Sequence, residues 1–192
     1  TWVTGVQTCA LPISFPSGDY SNWKTCEALS SHAIEVLKYE LEQDQSMLNR
    51  ASLLYNMAWY NFVQGRYEIA KAESQESLTT RQHLLQDDDT MIFQSMGMLA
   101  LVLKSQGKYD EAEPIFRQTL LLTEKALGKK HPNTLTSMNN LALLLESQGK
   151  YNEAEPISRQ TRLLTEKALG KKHPHTLTSM NNLAYLLESQ GK

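Results

Sequence analysis

Several short stretches hold residue types that could do chemistry. Gly128-Lys129-Lys130 and Gly170-Lys171-Lys172 set lysines directly after a glycine, as phosphate-cradling loops do. Such a loop also needs an upstream glycine, a Ser or Thr after the lysine, and a preceding strand; here the first two are missing and a helical pattern precedes. His173-Pro174-His175 brings two imidazoles close in sequence. The proline between them, with no carboxylate or thiol nearby, points to a turn and not a metal site. Asp87-Asp88-Asp89 lacks the alternating ligands, the glycine and the distal Glu of a calcium loop. Its last Asp, or Thr90, is expected to cap the following helix. Glu111, Glu113, Glu153 and Glu155 fall in the first turns of predicted helices, where acidic side chains offset the positive dipole end. Cys26 keeps helical spacing with Leu29, Ala33 and Leu37 and reads as small core filling. No Ser-His-Asp or Cys-His set emerges. Catalytic residues, cofactors and metal ligands are therefore expected to be none, and the chain is expected not to be an enzyme.

Composition narrows the class. The 192 residues are 41% hydrophobic and 21% charged, ordinary globular usage that argues against wholesale disorder. A net charge of −2 leaves no overall basic footprint for nucleic acid. Two cysteines cannot frame a disulfide-rich secreted scaffold. The longest apolar run, Met96–Leu103, is far too short to span a bilayer. The first basic residue is Lys24, so no signal peptide is expected. The expectation is a soluble, cytoplasmic protein without membrane or nucleic-acid partners. Net charge rises from −2 in residues 1–66 to +2 in residues 151–192, which would draw an acidic ligand towards the C-terminal end.

The decisive pattern is internal. Tyr109–Lys150 and Tyr151–Lys192 align without gaps over 42 residues and differ at only five. The same period links Gly65, Gly107, Gly149 and Gly191; Ala58, Ala100, Ala142 and Ala184; and Ala70, Ala112 and Ala154. Gly18-Asp19-Tyr20 opens a more divergent unit. The domain reading is residues 15–192 as one array: a divergent first unit at 15–45, repeats at 46–88, 89–130 and 131–172, and a truncated repeat at 173–192. Residues 1–14 resemble a translated sequencing adapter over 3–13 and are set aside as a non-native or disordered leader, the alternative being a genuine flexible one. Thr1 in place of Met, and a last unit that stops mid-repeat, suggest a piece of a longer chain.

Each unit reads as two helices and no strand. Met138, Leu141, Ala142 and Leu145 recur at i, i+3, i+4 and i+7. Gly149 supplies a tight turn, and Tyr151, Ala154, Ile157, Leu164 and Ala168 mark a second helix. Gly170 is expected to cap it, with Pro174 stopping propagation and His175 or Thr176 opening the next helix. The predicted helices span 21–39, 47–63, 67–84, 90–105, 109–127, 134–147, 151–169 and 176–189. Small residues such as Ala142 and Ala154 let paired helices approach closely.

The set Leu-Ala-x-x-Leu-x-x-x-Gly-x-Tyr-x-x-Ala resembles the tetratricopeptide repeat. A 42-residue period with Asn-Asn-Leu-Ala at 139–142, Glu-Ala-Glu-Pro at 153–156 and Leu-Gly-Lys-Lys-His-Pro at 169–174 resembles its kinesin-light-chain type. The likeness is strong over 46–192 and weak over 15–44. The opening from Phe15 to Trp23 is similar to arrays in fungal nucleotide-switch (STAND-type) receptors. The resemblance implies an all-α, right-handed superhelical α-solenoid of antiparallel helix pairs with a concave surface. It implies a non-catalytic scaffold that binds a protein or peptide in that groove; the alternative is a ligand-sensing or autoinhibitory arm of a STAND-type receptor. Asn56, Asn140 and Asn182 hold the groove-facing position of the pattern, and Met98 breaks the series. Asn139 and Asn181 would assist, and Trp59 and Tyr185, three residues past Asn56 and Asn182, would add amphipathic contact area. The truncated last repeat, with Leu183, Tyr185 and Leu187 partly exposed, is expected to fray or self-associate.

Overall fold

The computed structural model describes residues 15–17, 19–39 and 43–191. The leader assigned to 1–14 lies outside the described residues. A 3-10 turn, Tyr20–Asn22, leads into α1 (Trp23–Leu37). Then follow α2 (Asp44–Val63), α3 (Tyr67–Leu84), α4 (Thr90–Ser105), α5 (Tyr109–Leu127), α6 (Pro132–Ser147), α7 (Tyr151–Leu169) and α8 (Pro174–Ser189). The described residues contain no strand. The fold is all-α, of the helix-pair α-solenoid class, and the chain divides into two compact units, Thr1–Val102 and Leu103–Lys192.

In the first unit α2 and α3 form an antiparallel pair. Asn61 of α2 meets Glu73 of α3 near the turn, while Ser77 Oγ donates to Ala51 O (2.7 Å) a few turns away, so the chain runs back on itself. The alanine period sets the spacing: Ala58 and Ala70 are fully buried in one cluster with Met98 and Val102 of α4. A second cluster joins Phe15, Cys26 and Ala33 to Leu53, Met57 and Tyr60, so Cys26 is the small core residue its spacing suggested.

In the second unit α5, α6, α7 and α8 pack consecutively. Leu141, Leu144, Leu145, Phe116 and Ala154 form its interior. Gly149 adopts φ +74°, which admits glycine at no steric cost and lets Lys150 N–H donate back to Leu145 O (2.8 Å). Pro114 and Pro156 sit inside α5 and α7 without interrupting either helix.

The interrepeat joint differs from its sequence reading. Pro174 does not stop a helix; it is the first residue of the next one, as Pro132 is in the repeat before. At that position the missing N–H has no intrahelical partner in any case, and the ring presets the backbone angle. The caps are the preceding histidines: His131 Nδ1 accepts from Asn133 N–H and His173 Nδ1 from His175 N–H, each at 3.2 Å. Thr134 and Thr176 then reach back to the carbonyls of Gly128 (2.9 Å) and Gly170 (2.8 Å), tying the end of one helix to the start of the next. At the acidic loop it is Asp89 that caps, its Oδ1 accepting from Met91 N–H (2.7 Å).

Candidate functional site

In the second unit α6 and α8 lie side by side with α7 beneath them, and a cleft of about 90 Å³ opens between the three helices. Thr136 and Asn139 of α6 face Thr178 and His175 of α8, and Thr161 and Thr165 of α7 form the floor. The repeat dictates this mix. Thr161 and Thr165 are one helical turn apart, and each donates its hydroxyl to a carbonyl of its own helix, Thr161 to Ile157 O (2.8 Å) and Thr165 to Thr161 O (2.5 Å). Thr178 likewise donates to Pro174 O (3.0 Å). With their protons used in this way, the threonines offer methyl groups and oxygen lone pairs to the cleft. His175 stacks on His173 with ring centroids 5.4 Å apart.

Across the cleft Asn182 Nδ2 donates to Asn139 Oδ1 at 2.8 Å. That bond leaves the Asn139 amide N–H groups and the Asn182 carbonyl oxygen for other partners. Seven residues beyond Thr136 and Thr178, on the same helical face, stand Leu143 and Tyr185. Leu143 is half-buried and Tyr185 is 65% exposed. The structure therefore brings Asn139, Asn182 and Tyr185 to one surface. Asn140 is half-buried and Asn181 exposed on the same two helices. Leu143 belongs to this surface and was missed, because a leucine in an amphipathic pattern reads as core; its 42-residue spacing from Tyr185 was the available signal.

The first unit uses the equivalent positions differently. Asn56 donates its amide to Phe15 O (3.0 Å) and so helps hold the N-terminal segment. Trp59 is partly buried, packing against the Ala58–Ala70 cluster and 5.9 Å from the Phe62 ring.

Two buried polar groups of the first unit went unnoticed in the sequence. Arg81 is 2% exposed and stands where later repeats have Thr123 and Thr165. It donates to Met91 O (2.9 Å), Ser95 Oγ (2.8 Å) and Ser52 Oγ (3.3 Å), and its guanidinium lies 5.1 Å from the Tyr55 ring centroid. Burial lowers its pKa. Glu73 is buried beside Asn61, whose Nδ2 donates to both carboxylate oxygens (3.0 and 2.9 Å). Desolvation pushes the Glu73 pKa up to about 7 against the opposing pull of that hydrogen bond. In the second unit Glu113 is ion-paired to Lys150 (2.6 Å) and Arg117 (2.8 Å), and Arg117 also reaches Glu153 (2.7 Å), joining α5 to α7. The Lys150 hydrogen bond, more than any other influence, holds the Glu113 carboxyl down at about 2.

Among the described residues no group of three or more His, Cys, Asp or Glu converges as metal ligands would. No helix among them is long and apolar enough to cross a membrane.

The sequence matches the profile of the family described as Tetratricopeptide repeat over residues 91–162 and again over 141–192. No curated protein matches it. Among solved structures it is similar to a Podosopora anserina kinesin-light-chain candidate with "nearly identical TPR-like repeats": TM-score 0.72, 21% identity, 91% of this chain and 82% of that one covered. A single-substitution variant of that protein gives TM-score 0.73 at the same 21% identity, covering 91% of this chain and 81% of the variant. BtubC (BKLC) from P. vanneervenii gives TM-score 0.72 at 15% identity, with 88% of this chain and 67% of that one covered.

Proposed function

Since the chain belongs to the tetratricopeptide repeat family, we propose that it is a non-catalytic scaffold that holds a peptide segment of a partner protein in the α6–α8 cleft. The observation that carries this reading is the mix of side chains at the edge of the cleft and along the helix face beside it. A bridged pair of asparagines stands beside an aliphatic and an aromatic side chain, all on the solvent side of adjacent first helices. An amide offers donor and acceptor together and can grip a peptide backbone whatever its side chains. Leu143 and Tyr185 supply contact area at low entropic cost. The net +2 of residues 151–192 favours an acidic segment, steered by charge rather than gripped by it. The setting we propose is the cytoplasm.

The reading is tested by selecting peptides from a random display library on the full chain and mapping their contacts by NMR. Peptides that perturb Asn139, Asn140, Asn182 and Tyr185, and that lose affinity in Tyr185→Glu, support it. Selected peptides that bind elsewhere overturn it.

A further inference from the structure

Three residues spaced by 42 open the helices α4, α6 and α8 in one way: Asp89, His131 and His173. Each accepts a hydrogen bond from the backbone N–H two residues on. Asp89 Oδ1 accepts from Met91 (2.7 Å), His131 Nδ1 from Asn133 and His173 Nδ1 from His175 (both 3.2 Å). A backbone N–H can only donate, so each cap works through a lone pair. On the histidines that lone pair belongs to the neutral ring, whose single proton is then on Nε2.

The repeat thus keeps the cap and changes its chemistry. Histidine is the side chain whose charge changes between about pH 5 and 8, whereas an aspartate keeps its charge throughout that range. A proton on Nδ1 turns the acceptor into a donor that faces a donor. It also sets a positive charge at the positive end of the helix dipole. The charged groups of the two joints do not offset it. Lys125, Lys129 and Lys130 stand at the end of α5, and Lys167, Lys171 and Lys172 at the end of α7. The carboxylates at these helix ends are already paired, Glu124 with Lys129 (3.2 Å) and Glu166 with Arg162 (3.3 Å) and Lys171 (3.7 Å). At α8 the His175 ring stacks on His173, so a second cation there would form against the first. The threonine ties to Gly128 O and Gly170 O hold no titratable group and stay in place.

We propose that the His131 and His173 joints are a proton-sensitive device: as pH falls from about 7.5 to 5.5 the starts of α6 and α8 loosen, while the Asp89 joint holds α4. The stability supplied by the two caps is present while the rings are neutral. It is lost as pH falls, because the uncapped state binds more protons. The consequence reaches the cleft. Pro132, Thr136, His175 and Thr178, on its walls, lie in the first two turns of these helices. Acid therefore loosens the rim of the cleft, while the threonine ties keep the joints closed.

The test is hydrogen exchange of the full chain at about pH 7.5 and 5.5, read as protection factors so that the intrinsic pH dependence of exchange cancels. Acidification should lower protection about fivefold or more at Leu135–Asn139 and Leu177–Asn181, and should not lower it at the matching residues Phe93–Gly97. Giving both joints the aspartate of the first, His131→Asp with His173→Asp, should abolish the loss. Equal losses at all three helix starts, no loss at α6 and α8, or a loss that persists in the double variant would overturn the proposal. Should the double variant not fold, the contrast between α4 and the two later helices in the unaltered chain decides.

Discussion

Asn182 bonds to Asn139 across two helices, although the two do not occupy the same place in the repeat: Asn182 aligns with Asn140, and Asn139 with Asn181. The rung thus joins the second asparagine of one helix to the first asparagine of the helix before it. The preceding repeat has Gly97 and Met98 at these places, and neither carries an amide.

A bond of this kind between partly exposed amides contributes about 1 kcal/mol. Asn139→Ala and Asn182→Ala should each lower the melting temperature slightly, and the double variant should lose little more than either single one. Additive losses in thermal melts would show that the two residues are not coupled.

Stability of the two units should respond to pH in opposite directions. Folded Glu73 keeps its proton up to about pH 7, whereas the unfolded chain releases it near 4.5. Between these values the folded state binds more protons, so unfolding free energy falls as pH rises, by up to about 3 kcal/mol. Glu113 is held at about 2, so its contribution is present above pH 4.5 and lost as pH falls towards 2. Glu73→Gln should abolish the loss between pH 4.5 and 7, measured by melts of the full chain at stepped pH. An unchanged pH profile in that variant would refute the assignment.

The joint between repeats should depend on Thr134. Its hydroxyl is buried and tied to Gly128 O at 2.9 Å, closing the end of α5 over the start of α6. Thr134→Val keeps the shape but leaves that carbonyl without this donor, a loss of about 1–3 kcal/mol. Hydrogen exchange should quicken first at Leu127–Leu135. Unaltered protection there would mean that His131 alone suffices as the cap.

Helix positions were legible because the 42-residue period repeats every local signal several times, and Ala58 and Ala70 showed where the helices cross. The error over Pro174 had a local cause: a proline shortly after a glycine reads equally well as a stop or a start. Only the histidine lone pair aimed at the next N–H settles which. Glu73 and Arg81 were illegible for a different reason. Both look like surface charges on an amphipathic helix, and only departure from the repeat, Glu73 for Ile115 and Arg81 for Thr123, marks them as core positions. The cleft was half legible. Its asparagines stand out by type, whereas Leu143 and the Thr161–Thr165 floor differ in nothing from ordinary packing residues.

Whether the cleft amides grip a partner's backbone is decided by Asn139→Ala combined with Asn182→Ala, with affinity for a selected peptide and melting temperature read on the same sample. Affinity should fall about tenfold or more while the melting temperature shifts by only a few degrees. Unchanged affinity, or a collapse in melting temperature that explains the lost binding, would refute the grip and leave the asparagines as braces between helices.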